Sequence, residues 1–521
     1  MDKRTYNIFF HLHTVSGIVI SVILFVIFFA GSFSFFRDEI VNWEKDHSIE
    51  PTENLTMDYD ATFDSLDTQY ELYSREVSIA KHYIERRISV NLSTPQDTIA
   101  NSQKGRKFFY LDTQNFETSD YYESYSLGEF LYRLHFLAQI PHPVGYYISG
   151  FTAFFFLFAI LTGILIHWDK IVSNFYVFRP WAKLKTLWTD AHTALGTIGL
   201  PFQFVYAVTG AFFMIKALLV APSVFVLYGG DQAKLYADLG YTEPSFEAEN
   251  QKSPEPYSLN ALVAQTQQDW EDFEVNHLHI FHYGDANMHV SIEGQLKRNR
   301  QFTGSGKRVY KIATGEIVEQ TIPYTNTSYL EGVKNSLYRL HYGDYGGYAL
   351  KVISFVLGLL SCFVIISGVM IWLVARDKKN IPEKRRIFNR NVALVYLAIC
   401  LSMFPVTALT FLAVKTLHLS GQTPIYSVYF ITWLIATVFF IFKKDLNFIH
   451  KYALLSGALL GFLIPIAHGV QTSDWFWISF LEGRIQSFTI DMLWISLSIT
   501  ALWAYLKLNS KTQKEIPQHH A

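Results

Sequence analysis

The sequence predicts a mostly α-helical, polytopic membrane protein of about eight spans, with two small α+β modules outside the bilayer. Three observations carry that prediction: a series of long apolar runs, two long acidic segments between them, and an internal repeat built on histidine and glycine.

The runs come first. Residues 15–36 carry no charge, and neither do 143–168, 191–215, 352–375, 391–414, 425–442 and 452–471. A final run, 492–506, extends backwards past Asp491. Nearly all reach the roughly 20 residues a helix needs to cross the hydrocarbon layer. The first run is too long for the apolar region of a cleaved leader, and Arg37 and Asp38 follow it directly, so it reads as a retained helix.

Basic residues set the expected orientation. Lys170, Arg179, Lys183 and Lys185 stand in loop 169–190. Arg376, Lys378, Lys379, Lys384, Arg385, Arg386 and Arg390 crowd 376–390 against Asp377 and Glu383. Lys443, Lys444 and Lys451 fill the next alternate loop, and Lys507, Lys511 and Lys514 the tail. The positive-inside rule then places both termini in the cytoplasm, with the two long segments on the outer side of the membrane. The expected layout is span one at 1–37, an outer module at 38–142, spans two and three within 143–220, a second outer module at 221–345, span four at 346–376, and four further spans over 391–507.

Both outer segments hold short alternating runs that predict strands, at 77–79, 88–92, 107–111, 289–292 and 309–312. Residues 38–133 contain 19 Asp+Glu against 9 Lys+Arg. Residues 241–256, rich in Glu, Pro and Ser, read as a loop. The overall charge of -2 argues against a nucleic-acid partner. The two cysteines, Cys362 and Cys400, both lie in apolar runs, which excludes a disulfide framework, a CxxC pair and covalent CxxCH haem.

The repeat singles out four histidines. His13-Thr-Val-Ser-Gly17 opens span one and Gly31 follows; His192-Thr-Ala-Leu-Gly196 opens span three and Gly210 follows. The interval is 31 - 13 = 18 in one and 210 - 192 = 18 in the other, which is about five whole turns and puts all three residues on one face. Leu131-Tyr-Arg-Leu-His135 precedes span two and Leu337-Tyr-Arg-Leu-His341 precedes span four, with Gly163 and Gly368 beyond. A two-fold arrangement of the halves would pair His13 with His192 and His135 with His341. Neutral imidazole suits haem iron, and bundle cores present such ligands from facing helices. The implied core is four helices holding two bis-histidine b-type haems, one near each membrane surface. Eighteen helical residues span about 27 Å, a distance that two conjugated rings can bridge and one cannot. Gly17 and Gly196 would give a flat macrocycle room against the backbone. Arg133 and Arg339 would either pair with propionates or anchor helix ends as snorkelling cations.

Plainer readings stand beside these. A membrane histidine can hydrogen-bond a neighbour, although intramembrane ionisable groups default to function, and the glycines can serve close helix packing. His167, which aligns with Trp372, is an alternative inner ligand or an interfacial group; His11 is a weaker rival on another helix face. His277 and His279 share one face of a strand and, with His282 and His289, form either a metal or substrate site or an ordinary half-buried cluster. His418, His450 and His468 have no counterpart in the repeat, and Pro405 and Pro465 interrupt two of the last helices.

These motifs, in this order, make the chain resemble the PepSY-associated transmembrane family, which includes iron-regulated membrane proteins and ferric-siderophore reductases. The resemblance covers about residues 1–380. It implies a di-haem four-helix core liganded by His13, His192, His135 and His341, PepSY-like outer modules, and reduction of a periplasmic ferric siderophore to release Fe(II). The four spans after residue 390 depart from the family's minimal form. No Gly-rich nucleotide loop is present, so the donor would be a separate quinol or flavoprotein. Two other classes compete: a transporter for metal or protons, and a non-catalytic anchor for peptide-binding modules. The first four spans contain no Asp or Glu, which weighs against a transporter, and an anchor needs no symmetric histidines.

Overall fold

The computed structural model describes residues 1–50, 52–95, 105–174, 176, 179, 184–238, 244–252, 257–297, 302–325 and 329–514. Lys183 in the basic loop, and 241–243 and 253–256 of the expected loop, lie outside these residues. Two compact units result. One comprises residues 1–48, 125–220 and 347–521; the other comprises 49–124 and 221–346.

The larger unit is helical. It contains α1 (Lys3–Ser34) and α2 (Arg37–Glu44); its sequence partner in the other unit is α3 (Tyr59–Tyr70). The chain then returns through α4 (Leu127–His135), α5 (Val144–His167), the short α6 (Ile171–Asn174), α7 (Leu184–Ile198) and α8 (Leu200–Tyr228). After α9 (Gln232–Asp238), α10 (Leu259–Asp269) and α11 (Tyr329–Tyr342) come α12 (Gly347–Arg376), α13 (Glu383–Leu417), α14 (Gln422–Lys443), α15 (Leu446–Thr472), α16 (Phe476–Leu481) and α17 (Ile485–Lys514). Among the described residues eight helices are long and apolar enough to cross a membrane, matching the eight runs read from the sequence. Asp2 starts α1 by accepting from the Arg4 and Thr5 amides at 2.9 Å, satisfying donors that a helix start leaves open.

Span three departs from expectation. The run 191–215 is not one helix: the chain breaks at Gly199 between α7 and α8. Pro201 has no N–H to bond back into α7, so it sits in the first turn of a new helix. The backbone of α8 departs from helical again at Ile215 (φ -123°, ψ 20°). His13 and Gly31 do lie on one unbroken helix; His192 and Gly210 do not. His135 and His341 likewise sit on short helices of their own, α4 and α11, ahead of the spans they were expected to open. Pro405 and Pro465 are accommodated inside α13 and α15.

α1 is the centre of the first half, packing on α4, α5 and α12, while α12 also packs on α7 and α13. α13 packs on α14 and α15, and α15 on α17. The second group is joined to the first by α2 as well, which lies against both α4 and α17.

The smaller unit is built on one antiparallel sheet of eight strands in the order β4-β3-β2-β1-β5-β6-β7-β8. β1 (Val77–Ala80), β2 (Arg87–Leu92), β3 (Lys107–Asp112) and β4 (Thr118–Ser119) come from the first segment. β5 (Phe273–Phe281), β6 (His289–Leu296), β7 (Ser305–Lys311) and β8 (Glu316–Thr321) come from the second. The two expected modules therefore share a sheet. β1 pairs with β5 from Val77↔Ile280 to Ala80↔His277, which covers two edges that would otherwise expose unpaired backbone. A continuous core with Phe63, Ile79 and Val90 from one segment and Val263, Leu278 and Val290 from the other lies on the sheet. The helix starts are tied reciprocally: Asp60 accepts from the Leu259 amide at 2.6 Å, and Asn260 accepts from the Tyr59 amide at 2.8 Å.

Candidate functional site

Three of the four repeat histidines, all in the helical unit, are seated in the same way. His13 on α1 turns its ring onto α5, where Nδ1 lies 2.9 Å from the Ala159 carbonyl. One turn further along α5, a Cβ on Gly163 would stand 3.2 Å from His13 Cε1. His192 on α7 does this against α12. Its Nδ1 lies 2.9 Å from the Val364 carbonyl and 3.2 Å from Ser367 Oγ, and a Cβ on Gly368 would stand 3.2 Å from Cε1. His135, closing α4, sits similarly against α1: the Ile27 backbone is a polar neighbour of its ring, and a Cβ on Gly31 would stand 3.0 Å from Nδ1. In each seat the glycine follows that backbone residue by four positions, one helical turn, so both act on one ring.

The seat has a chemical consequence. A carbonyl only accepts, so at His13 and His192 Nδ1 carries the hydrogen and Nε2 keeps the lone pair. That is the tautomer a metal takes through Nε2, held by a second interaction that orients the ring. His13 and His192 come together, with ring centroids 6.1 Å apart and planes at 73°. Two imidazoles bound through nitrogen to one metal at about 2 Å bring their centroids to about 6 Å. Gly17 has no atom within 4 Å of an added Cβ, and Gly196 has only Val364 Cγ1 at 3.9 Å. The donor set and the clearance both fit an iron porphyrin.

His135 belongs to the helical unit and His341 to the sheet unit, so each stands by itself. His341 lies in the last turn of α11, edge-on to Tyr342 at 6.0 Å. Gly210, the repeat's counterpart of Gly31, receives no ring: a Cβ on it would stand 3.3 Å from Ala153 Cβ. Arg133 is engaged by Glu129 at 2.8 Å, and Glu129 also holds buried Arg37 at 3.0 Å. Arg339 is buried with its guanidinium 5.8 Å from the Phe302 ring centre. His167 ends α5 half-buried, near enough to His192 to act on it electrostatically. His11 is exposed.

The outer cluster is bound up in the sheet. His277 and His279 do share a face, with centroids 6.1 Å apart. His277 Nε2 lies 2.9 Å from Ser78 Oγ, and its Nδ1 lies 3.0 Å from Glu293 Oε2. His279 stacks on Phe281 at 4.1 Å, and burial pushes its pKa down to about 4. Burial alone would raise Glu293, but the His277 hydrogen bond and charge win and hold it below the usual carboxylate range. His282 bonds the Phe246 carbonyl at 2.8 Å, and His289 stacks on the Phe246 ring at 3.7 Å.

One group escaped the sequence reading. Asp491 Oδ2 lies 2.8 Å from His468 Nδ1, and Asp491 Oδ1 accepts from Trp43 Nε1 at 3.1 Å. Lys415 donates to the Trp43 carbonyl at 2.8 Å and pairs with Asp46, which lies 3.7 Å from His468 Nε2. Asp491, His468 and Lys415 are buried. A charge inside an apolar run was the available signal, but partners 23 to 448 residues apart follow no periodicity. His418 is exposed after α13, and His450 is half-buried with its ring 6.4 Å from that of Trp188.

Comparison with known proteins gives the chain its relatives. The family model for the PepSY-associated TM region matches residues 10–375. The uncharacterized protein PA4219 of Pseudomonas aeruginosa is 26% identical over 247 residues, 44% of this chain. The match spans 59% of that protein's length.

Proposed function

Because the chain belongs to the PepSY-associated TM region family, as the match over residues 10–375 shows, we propose that it moves electrons across the bacterial inner membrane through two b-type haems to a ferric siderophore. The observation that carries this is the His13–His192 pair, 6.1 Å apart with both Nδ1 atoms tied back to carbonyls. His135 and His341 would hold the second group. Each haem, when bound, supplies a one-electron carrier.

The chain's own residues do the rest. The Ala159 and Val364 carbonyls fix the tautomer of the inner ligands and raise their basicity. Gly163 and Gly368 let the rings press on the helix backbone, which fixes their angle. Arg133 and Arg339, each two residues before a ligand, would offset propionate charge. The acidic sheet unit would face the periplasm and receive the iron complex. Ferric iron bound by hard oxygen ligands accepts one electron and leaves as the more weakly held Fe(II).

The test is vectorial reduction. In proteoliposomes loaded with dithionite, the protein is expected to reduce an external ferric hydroxamate, read as Fe(II) captured by ferrozine. His135→Ala and His341→Ala should each cut that rate at least ten-fold. Equal rates with and without protein would contradict the proposal.

The Lys415–Asp46–His468–Asp491 group favours one second reading, a proton path in the last four spans, since such groups mark proton relays in membrane proteins. Proton uptake into liposomes without any haem signal would favour it.

A further inference from the structure

A groove of about 410 Å³ lies among α1, α12 and α13, within the size range of small-molecule sites. Ile18, Ser21 and Val22 of α1 form one wall, Val369 and Trp372 of α12 a second, and Val395 and Tyr396 of α13 a third. Its position is informative. Val369 follows Gly368, the residue that seats the His192 ring, and Ile18 lies five positions beyond His13, about 7.5 Å along α1. The groove therefore lies within about two helical turns of the inner histidine pair along both α1 and α12.

Its chemistry is mixed in a particular way. Val392 and Val395 are exposed, and on a span such exposure opens to lipid. Deeper in, the Tyr396 hydroxyl is buried, and its polar neighbour is the Cys400 thiol, a weak partner. Ser21, also buried, donates to the Ile18 carbonyl at 2.8 Å and so retains an accepting oxygen. Asn391 stands exposed at the rim. An apolar cleft with a buried phenol and a hydroxyl suits a flat ring bearing two hydroxyl groups on a greasy tail.

We propose that this groove binds a membrane hydroquinone, which donates the electrons; the inference rests on the haem reading above. A hydroquinone gives up two electrons and two protons and becomes the quinone. The electrons leave one at a time towards the His13–His192 site, and two ferric substrates are reduced per hydroquinone. Tyr396 and Ser21 hold the ring oxygens, and the protons pass to water at the Asn391 rim. One wall is α13, which lies beyond the family match at residue 375. The added C-terminal block thus acquires a role: it completes the donor site.

The experiment uses the full chain in nanodiscs. Binding of decyl-ubiquinone is measured by calorimetry, and reduction by decyl-ubiquinol is followed by stopped-flow absorbance. Val395→Trp, which fills the groove, and the near-isosteric Tyr396→Phe should each weaken binding at least ten-fold and slow quinol reduction equally. Reduction by dithionite should be unchanged in both. The proposal is overturned if the wild type shows no binding, or if both variants bind and react as the wild type does, leaving a lipid chain as the occupant or a soluble flavoprotein as the donor. A preparation without haem absorbance would end the haem reading, while calorimetry on the same sample still decides whether the groove takes a quinone.

Discussion

At Gly31, Gly163 and Gly368 an imidazole rests where any other residue would carry its Cβ, with separations of 3.0 to 3.2 Å. That is tighter than ordinary carbon contact, so a β-branched side chain must push the ring away and strain its bond to the carbonyl one turn back. Gly368→Val is expected to lower haem content by about one equivalent of two, read by pyridine haemochrome, while Gly17→Val should act only through the bound group. Normal content in Gly368→Val would show that the seat is packing alone. The sequence pointed to these glycines by spacing, yet it assigned clearance to Gly17 and Gly196 and missed that the distant glycines receive the rings. The reason is that the contact crosses between helices, and single-helix periodicity reports only which face a residue shares.

A second residue-scale consequence concerns pH. His279 titrates at about 4 when folded and at 6.5 in its reference state. Between those values the unfolded chain binds more protons, so stability falls as pH drops from about 6.5 towards 4. Glu293, held below its reference of 4.5, adds a loss of the same sign as pH falls through its folded value. The His279 effect on β5 and its partner β6 is expected to be on the order of 2 kcal/mol between pH 7 and pH 5, and Glu293 adds to it only at lower pH. Hydrogen exchange of those strands at pH 7 and pH 5 measures it, and His279→Gln should flatten the dependence. Equal protection at both pH values would contradict it.

At the scale of elements, α2 is the fastener. Through Trp43, and through Asp46 in the turn after it, it reaches Asp491, His468 and Lys415 on three of the last four spans, and through Arg37 it reaches Glu129 on α4. Asp491→Leu would strand the buried Trp43 and His468 donors, at about 1–3 kcal/mol each. A clear fall in melting temperature in detergent is expected. Asp491→Leu with His468→Leu should cost less than the sum of the single changes, because the two are direct partners. An unchanged melting temperature in the single variant would show the network to be idle. Elements were legible where one force acted alone: long apolar runs gave eight spans, although the third starts at Leu200 and not at 191, and alternation found β1, β2, β3, β6 and β7. They failed where tertiary pairing decided. The all-exposed β8 has no buried face to produce alternation, the two-residue β4 is too short for a period, and the union of two modules through β1 and β5 is a long-range event with no local signature.

For the whole molecule, duplication explains most of what could be read. Each half supplies a helix bearing histidine, a segment of strands and a second helix, so matched motifs marked the elements of both halves. The C-terminal block has no such copy, and the partners of His468 and Asp491 became visible only with the structure. The positive-inside distribution makes a prediction at this scale. Alkaline phosphatase inserted near residue 120 should be active, and the same enzyme fused after residue 510 should be inactive; the reverse pattern would invert the proposed direction of electron flow.

The central claim is that matched imidazoles from the two halves grip iron porphyrin. Its most direct test is the haem-to-polypeptide ratio of the purified wild-type chain from cells supplied with haem precursor. The account predicts two b-type haems per chain with low-spin bis-histidine spectra. A chain that folds and purifies without haem would contradict it.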